Sequence, residues 1–194
     1  SILLEGSHND RAPTASPDAS STITLTGSFT STNANLPTST KAITINTNGF
    51  TITGTYASQT FALGLSGAGV NTVLTGTGKI VGGSVPGATT TQGQVGLFLN
   101  FDATVTNRTS VTGGAGGSVA KATGGLGAQL LNRATLINEG TITGGAGTAA
   151  SGGSGVRASS GSTVINNGTI QGGDSTTASG AVAALSAGTP CTLK

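Results

Sequence analysis

An apolar residue stands just ahead of a glycine pair again and again along this chain. Ile80 precedes Gly82-Gly83, Val111 precedes Gly113-Gly114, Ile142 precedes Gly144-Gly145, and Ile170 precedes Gly172-Gly173. Leu25-Thr26-Gly27 and Ile52-Thr53-Gly54 fit the same frame upstream. Taken as anchors, Leu25, Ile52, Ile80, Val111, Ile142 and Ile170 are separated by 27, 28, 31, 31 and 28 residues. Self-similarity in this range belongs to chains whose repeats each form one supersecondary unit and bury their apolar face only by stacking.

Local patterning says what that unit is. Around the anchors, Thr51-Ile52-Thr53 and Thr141-Ile142-Thr143 alternate β-branched residues, which turns isoleucine inward and threonine outward on a strand. A second strand precedes each anchor, with Leu74, Val105, Leu136 and Val164 six residues ahead. A third lies in Ala62–Leu65, Gly96–Leu99, Gly127–Leu130, Gly155–Ala158 and Gly180–Ala183. None of these segments shows the three- and four-residue spacing of an amphipathic helix. With 34 glycines, 3% aromatic and 7% charged residues, the chain suits neither helices, nor a ring-filled globular core, nor a charge-solubilised disordered chain. The expectation is an all-β fold: a single-stranded parallel β-helix of about six coils, 27–31 residues each, with three short strands per coil and glycine-rich tight turns between them. Strands about 4.8 Å apart make that a rod about 30 Å long.

Stacking makes a register that the sequence itself can check. Four residues before successive anchors stand Asn48, Gly76, Asn107, Asn138 and Asn166. Asparagines at one position of stacked coils bond amide to amide in a ladder. Arg108 and Glu139 both lie three residues before their anchors, and Asp102 and Arg133 both lie nine before theirs. Each pair brings opposite charges to one strand spacing, where like charges are unfavourable. Such exposed pairs contribute little energy and serve here as alignment marks.

Residues 1–20 differ from the rest, carrying Glu5, Asp10, Arg11 and Asp18 with Pro13 and Pro17. They read as an N-terminal arm whose apolar patch Ile2-Leu3-Leu4 either caps the first coil or contacts another subunit. The solenoid body is expected over 21–185 and a C-terminal tail over 186–194. Solenoid ends expose strand edges, so something must cover them.

Leu136-Ile137-Asn138-Glu139-Gly140-Thr141-Ile142-Thr143-Gly144-Gly145 and Val164-Ile165-Asn166-Asn167-Gly168-Thr169-Ile170-Gln171-Gly172-Gly173 resemble the repeats of autotransporter passenger domains of Gram-negative bacteria. The resemblance is strong over 100–185 and weaker over 21–99. It implies a right-handed parallel β-helix, an extracellular or cell-surface location, and a part in adhesion, autoaggregation or biofilm.

The chain offers few residues for chemistry. Glycosidic cleavage needs two carboxylates facing one site. Within 21–185 only Asp102, Glu139 and Asp174 are acidic, each at a different repeat position. His8 is the one histidine and lies in the arm, with no nucleophile–base arrangement near it in sequence. Gly113-Gly114-Ala115-Gly116 and Gly144-Gly145-Ala146-Gly147 lack the aspartates of a calcium-binding β-roll, and no glycine run ends in the Lys-Ser/Thr of a phosphate loop. No catalytic residue, cofactor or metal is therefore expected. Asn107-Arg108-Thr109 and Asn167-Gly168-Thr169 match the glycosylation acceptor pattern, with Asn107 read as a ladder residue. Thr24/Thr26, Thr51/Thr53, Ser110/Thr112 and Thr141/Thr143 flank the anchors like the threonine array of an ice-binding solenoid, interrupted by Lys79/Val81 and Gln171. Cys191 is the single cysteine and makes no internal disulfide; it reads as an incidental tail thiol or an intermolecular bridge.

With a net charge of +2 and no Lys/Arg cluster, nucleic acid is not an expected partner. No apolar run reaches the length of a membrane span. The leading expectation is a non-enzymatic structural or adhesive surface solenoid, whose partners are other copies of itself or of adjoining coils, and host or matrix glycans. Alternatives are a fibre subunit joined end to end through the arm, a polysaccharide-active enzyme, and an ice-binding solenoid.

Overall fold

The computed structural model describes residues 2–4, 21–31, 35–36, 42–56, 61–119, 122–148, 150–176, 182–187 and 192–194. His8 and Cys191 lie outside the described residues, as does most of the arm. All described regular structure is β. In chain order the strands are β1 (Ile2–Leu4), β2 (Ser21–Leu25), β3 (Phe29–Ser31), β4 (Asn35–Leu36), β5 (Ala42–Asn46), β6 (Thr51–Gly54), β7 (Phe61–Ser66), β8 (Asn71–Thr75), β9 (Lys79–Val81) and β10 (Val95–Asn100). They continue as β11 (Thr104–Asn107), β12 (Ser110–Thr112), β13 (Ala128–Leu130), β14 (Thr135–Asn138), β15 (Thr141–Thr143), β16 (Val156–Ser159), β17 (Thr163–Asn166), β18 (Thr169–Gln171), β19 (Ala184–Ala187) and β20 (Thr192–Leu193).

Every third strand joins the same sheet, so the chain winds through three faces in turn. Face I has eight strands in the order β1-β2-β5-β8-β11-β14-β17-β20. Face II is β3-β6-β9-β12-β15-β18 and face III is β4-β7-β10-β13-β16-β19. Every pairing between these strands is parallel. This is the expected parallel β-solenoid. It makes about 4 turns, fewer than the six coils that the spacing predicts.

Stacked aliphatic columns fill the bore. Ile52, Ile80, Val111, Ile142 and Ile170 stand one over another on face II. Leu65, Leu99, Leu130 and Ala158 do so on face III. Ile43, Thr72, Val105, Leu136 and Val164 do so on face I. Ile80, Leu97, Leu99, Leu130, Leu136 and Ile142 are wholly buried. Each such side chain contributes about 1.5–3 kcal/mol relative to exposure, so adding a coil stabilises the coils on both sides.

Two expectations about register need correction. Leu25 is a buried core residue of face I, and the residue beneath Ile52 on face II is Phe29. This coil is short, the bonded pair Ser28 and Thr51 being 23 positions apart, so counting back 27 overshoots the face. Leu74 lies opposite Asn107, not Val105, whose partner is Thr72. The corner after β8 holds two more residues than the corner after β11: Lys79 is five positions beyond Leu74, whereas its partner Ser110 is three beyond Asn107. A shift of two keeps side-chain facing, so Leu74 is still inward. Within the expected arm, Ile2–Leu4 pair with the chain's own β2 as the outermost strand of face I, the capping position, and β19 runs over Ala184–Ala187.

Candidate functional site

The polar residues singled out above converge on two corners of the solenoid. At the corner between faces I and II, Asn107, Asn138 and Asn166 end successive strands in register. Asn107 Nδ2 donates to Asn138 Oδ1 at 2.8 Å, and Asn138 Nδ2 donates to Asn166 Oδ1 at 2.8 Å. Each amide also closes its own corner: Asn107 Oδ1 accepts from the Thr109 backbone, and Asn138 Nδ2 reaches the Gly140 and Thr169 carbonyls. Asn107 and Asn138 are completely buried. Asn48 is not in this ladder. It sits in the longer corner beyond β5 with φ at 48°, and its Nδ2 donates to the Leu25 carbonyl. The column below Asn107 continues instead as Leu74 and Ile45.

One position outward of the ladder, Arg108 Nε meets Glu139 Oε2 at 2.7 Å. At the corner between faces III and I, Arg133 holds Asp102 through two bonds, Nε to Oδ1 and Nη2 to Oδ2, both 2.7 Å. Those hydrogen bonds, with the Arg133 charge behind them, hold the Asp102 carboxyl below its ordinary value, while Asp102 raises Arg133. Both residues turn the corner in the left-handed region, Asp102 at φ 61° and Arg133 at φ 64°. A second amide pair lies there, Asn132 Nδ2 to Asn100 Oδ1 at 2.9 Å. Its members sit ten and eleven residues before their anchors, so anchor counting does not align them.

The glycine pairs are not tight turns. They open an outgoing arm after each face II strand, and a returning arm leads back to face III. Outgoing arms bond to the next coil at every third residue: Gly82 and Val85, Gly113 and Gly116, Gly144 and Gly147. Returning arms do the same at Gly93 and Gly96, and at Gly124 and Gly127. A three-residue repeat is that of an extended polyproline II thread, not of a strand or a turn. Between the two sets of arms runs one relay of backbone amides. Gly173 N–H donates to Gly153 O, Gly153 to Gly145, Gly145 to Gly125, Gly125 to Gly114, Gly114 to Gln94 and Gln94 to Gly83, at 2.7–3.0 Å. Here glycine is required by crowding: a Cβ on Gly114 would collide with the Gly83 carbonyl, and one on Gly145 with the Gly114 carbonyl. At the lower end of the relay, the Gln94 side chain replaces an arm. Its Oε1 accepts from Gly83 N–H and its Nε2 donates to the Thr55 carbonyl. The sequence signal for this flange is glycine at every third place, as in Gly124-Gly125-Leu126-Gly127 beside Gly113-Gly114-Ala115-Gly116.

Among the described residues no three His, Cys, Asp or Glu side chains gather as a metal site. No described helix is long and apolar enough to cross a membrane. Of the acids in 21–185, Asp102 and Glu139 belong to different corners, and Asp174 is exposed on an outgoing arm where its carbonyl accepts from Gly147. The outward threonines of β6 and β15 do lie on face II, but Thr24 lies on face I with Asn46 as its partner. A longer threonine column, Thr104-Thr135-Thr163-Thr192, runs up the outside of face I. Asn107 cannot accept a glycan in the folded chain, since it is buried and both amide atoms are bonded. Asn167 is exposed.

Scans of protein-family models, of curated proteins and of solved structures find no match to this chain.

Proposed function

We propose that this chain is a non-enzymatic structural and adhesive module of the bacterial cell surface, a stiff stalk of autotransporter-passenger type. The carrying observation is where its charged side chains go. Asp102 and Glu139, two of the three acids in 21–185, are each joined to an arginine on the adjacent coil rather than turned toward a shared pocket. Buried asparagines and glycine amides are used in the same way, to join coil to coil. A molecule whose polar groups tie neighbouring coils together is built to hold shape along an axis. The resemblance of residues 100–185 to passenger repeats supports the location and the adhesive part of the reading.

Negative-stain microscopy of the purified chain tests the shape: isolated short rods are expected, and compact particles or branched aggregates overturn it. Incubation with acidic polysaccharides is expected to release no new reducing ends. Antibodies raised against the chain are expected to label intact cells of its source; labelling only after lysis removes the surface assignment.

A further inference from the structure

The chain contains two Asn-Gly dipeptides, Asn48-Gly49 and Asn167-Gly168. We propose that Asn167 is a self-modification site, at which deamidation unlocks the outermost described rung of face II, while Asn48 is protected by the fold.

The chemistry is intramolecular. The Gly168 backbone nitrogen attacks the Asn167 side-chain carbonyl carbon, the new C–N bond closes a succinimide, and the Asn167 amide nitrogen leaves as ammonia after taking up the proton from Gly168. Water then opens the ring to aspartate or isoaspartate. Water is the only co-reactant. Reaction requires a following residue without a bulky side chain, a backbone nitrogen free to attack, and a side-chain amide free to turn.

Asn167 meets all three. It is exposed and its side chain makes no hydrogen bond among the described residues. The flanking amides are held, Asn167 N–H by the Asn138 carbonyl at 2.7 Å and Thr169 N–H by the Gly140 carbonyl at 2.9 Å, whereas Gly168 N–H has no backbone acceptor among the described residues. Glycine is obligatory at 168, because a Cβ there would collide with the Gly140 carbonyl oxygen of the coil below. The fold therefore imposes the most reactive successor on an exposed asparagine. The neighbouring ladder residues lack this combination: Asn107 and Asn138 are buried, bonded through their amides, and followed by Arg108 and Glu139. Asn48 has the glycine successor but not the freedom. Its Nδ2 is held by the Leu25 carbonyl at 3.2 Å, and both Asn48 and Gly49 are fixed in the left-handed region of a turn closed by Phe50 N–H to the Thr47 carbonyl.

The product changes the local register. Asn167 continues the column of Arg108 and Glu139, because Asn138 and Asn166 are partners. A carboxylate at 167 stands one strand spacing from Glu139, an unfavourable like-charge neighbour. Isoaspartate additionally lengthens the backbone by one methylene just before β18, whose three residues pair with β15 on one side.

The test uses the unmodified chain, aged in mildly alkaline buffer and mapped by peptide mass spectrometry with isoaspartyl methyltransferase labelling. Conversion at Asn167 is expected to run about tenfold faster than at Asn48, the factor that corresponds to one hydrogen bond of about 1.4 kcal/mol broken before cyclisation. Asn167→Gln is expected to abolish the early acidic isoform, and the separated acidic isoform of the parent chain to lose amide-exchange protection at Thr169 and Gln171. Equal or faster reaction at Asn48, an acidic isoform that persists in Asn167→Gln, or undiminished protection of β18 in the acidic form each overturn the proposal.

Discussion

Asn107 and Asn138, thirty-one residues apart, occupy one position on adjacent coils and share a 2.8 Å amide bond inside the core. Asn138 is the central rung, receiving from Asn107 and donating to Asn166 and to the Thr169 carbonyl. Asn138→Ala takes the acceptor from one buried Asn107 N–H, whose other N–H keeps the Thr109 carbonyl, and the donor from half-buried Asn166 Oδ1, at about 1–3 kcal/mol for each such group. The expected loss is about 3 kcal/mol, read as a lower urea midpoint with unchanged slope. Replacing Asn107, Asn138 and Asn166 together by leucine extends the Ile45-Leu74 column but leaves the buried Thr109 N–H without its Asn107 Oδ1 acceptor, so it is expected to be no cheaper than the single change. A triple variant clearly more stable than Asn138→Ala would show that the aliphatic column outweighs the corner bonds.

Thr72 presents the opposite situation. It stands between Ile43 and Val105 in an otherwise aliphatic column, and its buried hydroxyl has no hydrogen-bond partner among the described residues. Thr72→Val keeps the shape and removes the orphaned group, so a gain of about 1–2 kcal/mol is expected in equilibrium unfolding. A loss of stability would show that the hydroxyl is bonded in solution, for instance by a buried water.

Thr72 also marks what the sequence could not reveal. From Val111 to Ile170 the corner between ladder and anchor has one length, with the asparagine four residues ahead each time, so counting recovers the Asn107–Asn138–Asn166 ladder positions and both ion pairs although the anchors themselves are 31 and 28 residues apart. At Ile80 and below that corner lengthens, and the same counting puts Asn48 in the ladder and Leu74 over Val105. Parallel pairing is set by hydrogen bonds between strands, not by distance along the chain, so an insertion at a corner leaves the sheet intact while it breaks the count. Leu25 misled for a different reason: Thr24-Leu25-Thr26-Gly27 imitates an anchor although the short first coil brings Phe29 to that place. The flange was the least legible feature, because backbone amides hold it and glycine leaves only the trace of where no side chain fits.

The Asp102–Arg133 pair gives a pH dependence with a definite sign. Arg133 holds the carboxyl below its ordinary 3.8, first by hydrogen bonding and then by charge. A carboxyl depressed on folding stabilises the native state above its unfolded value and loses that contribution as pH falls through the folded value. The stability difference between the parent chain and Asp102→Asn is therefore expected to be level from neutral pH down toward 3.8 and to vanish below it. Arg133 is largely exposed and Asp102 partly so, and added salt is therefore expected to shrink the difference. Urea midpoints of the two proteins across the acid range decide it, and a difference that persists at the lowest pH contradicts an ion pair as its source.

Crowding and flexibility make different demands of glycine, and the flange separates them. Gly114 has an ordinary negative φ, so alanine there meets no backbone strain, yet its Cβ would enter the Gly83 carbonyl. Both of those atoms belong to stacked arms that cannot part without lengthening the relay bonds from Gly125 to Gly114 and from Gly114 to Gln94. Overpacking of this kind costs about 1–3 kcal/mol, and more where backbone must move. Gly114→Ala is accordingly expected to lose about 3 kcal/mol. Gly27→Ala, where a Cβ meets nothing within 4 Å, is expected to be neutral or slightly stabilising, since alanine restricts the unfolded chain. Hydrogen exchange locates the damage: in Gly114→Ala the amides of Gly125 and Gly145 should lose protection while those of face I keep theirs. Equal costs at Gly114 and Gly27 would mean that the arms are too loosely packed for backbone contact to explain their glycines.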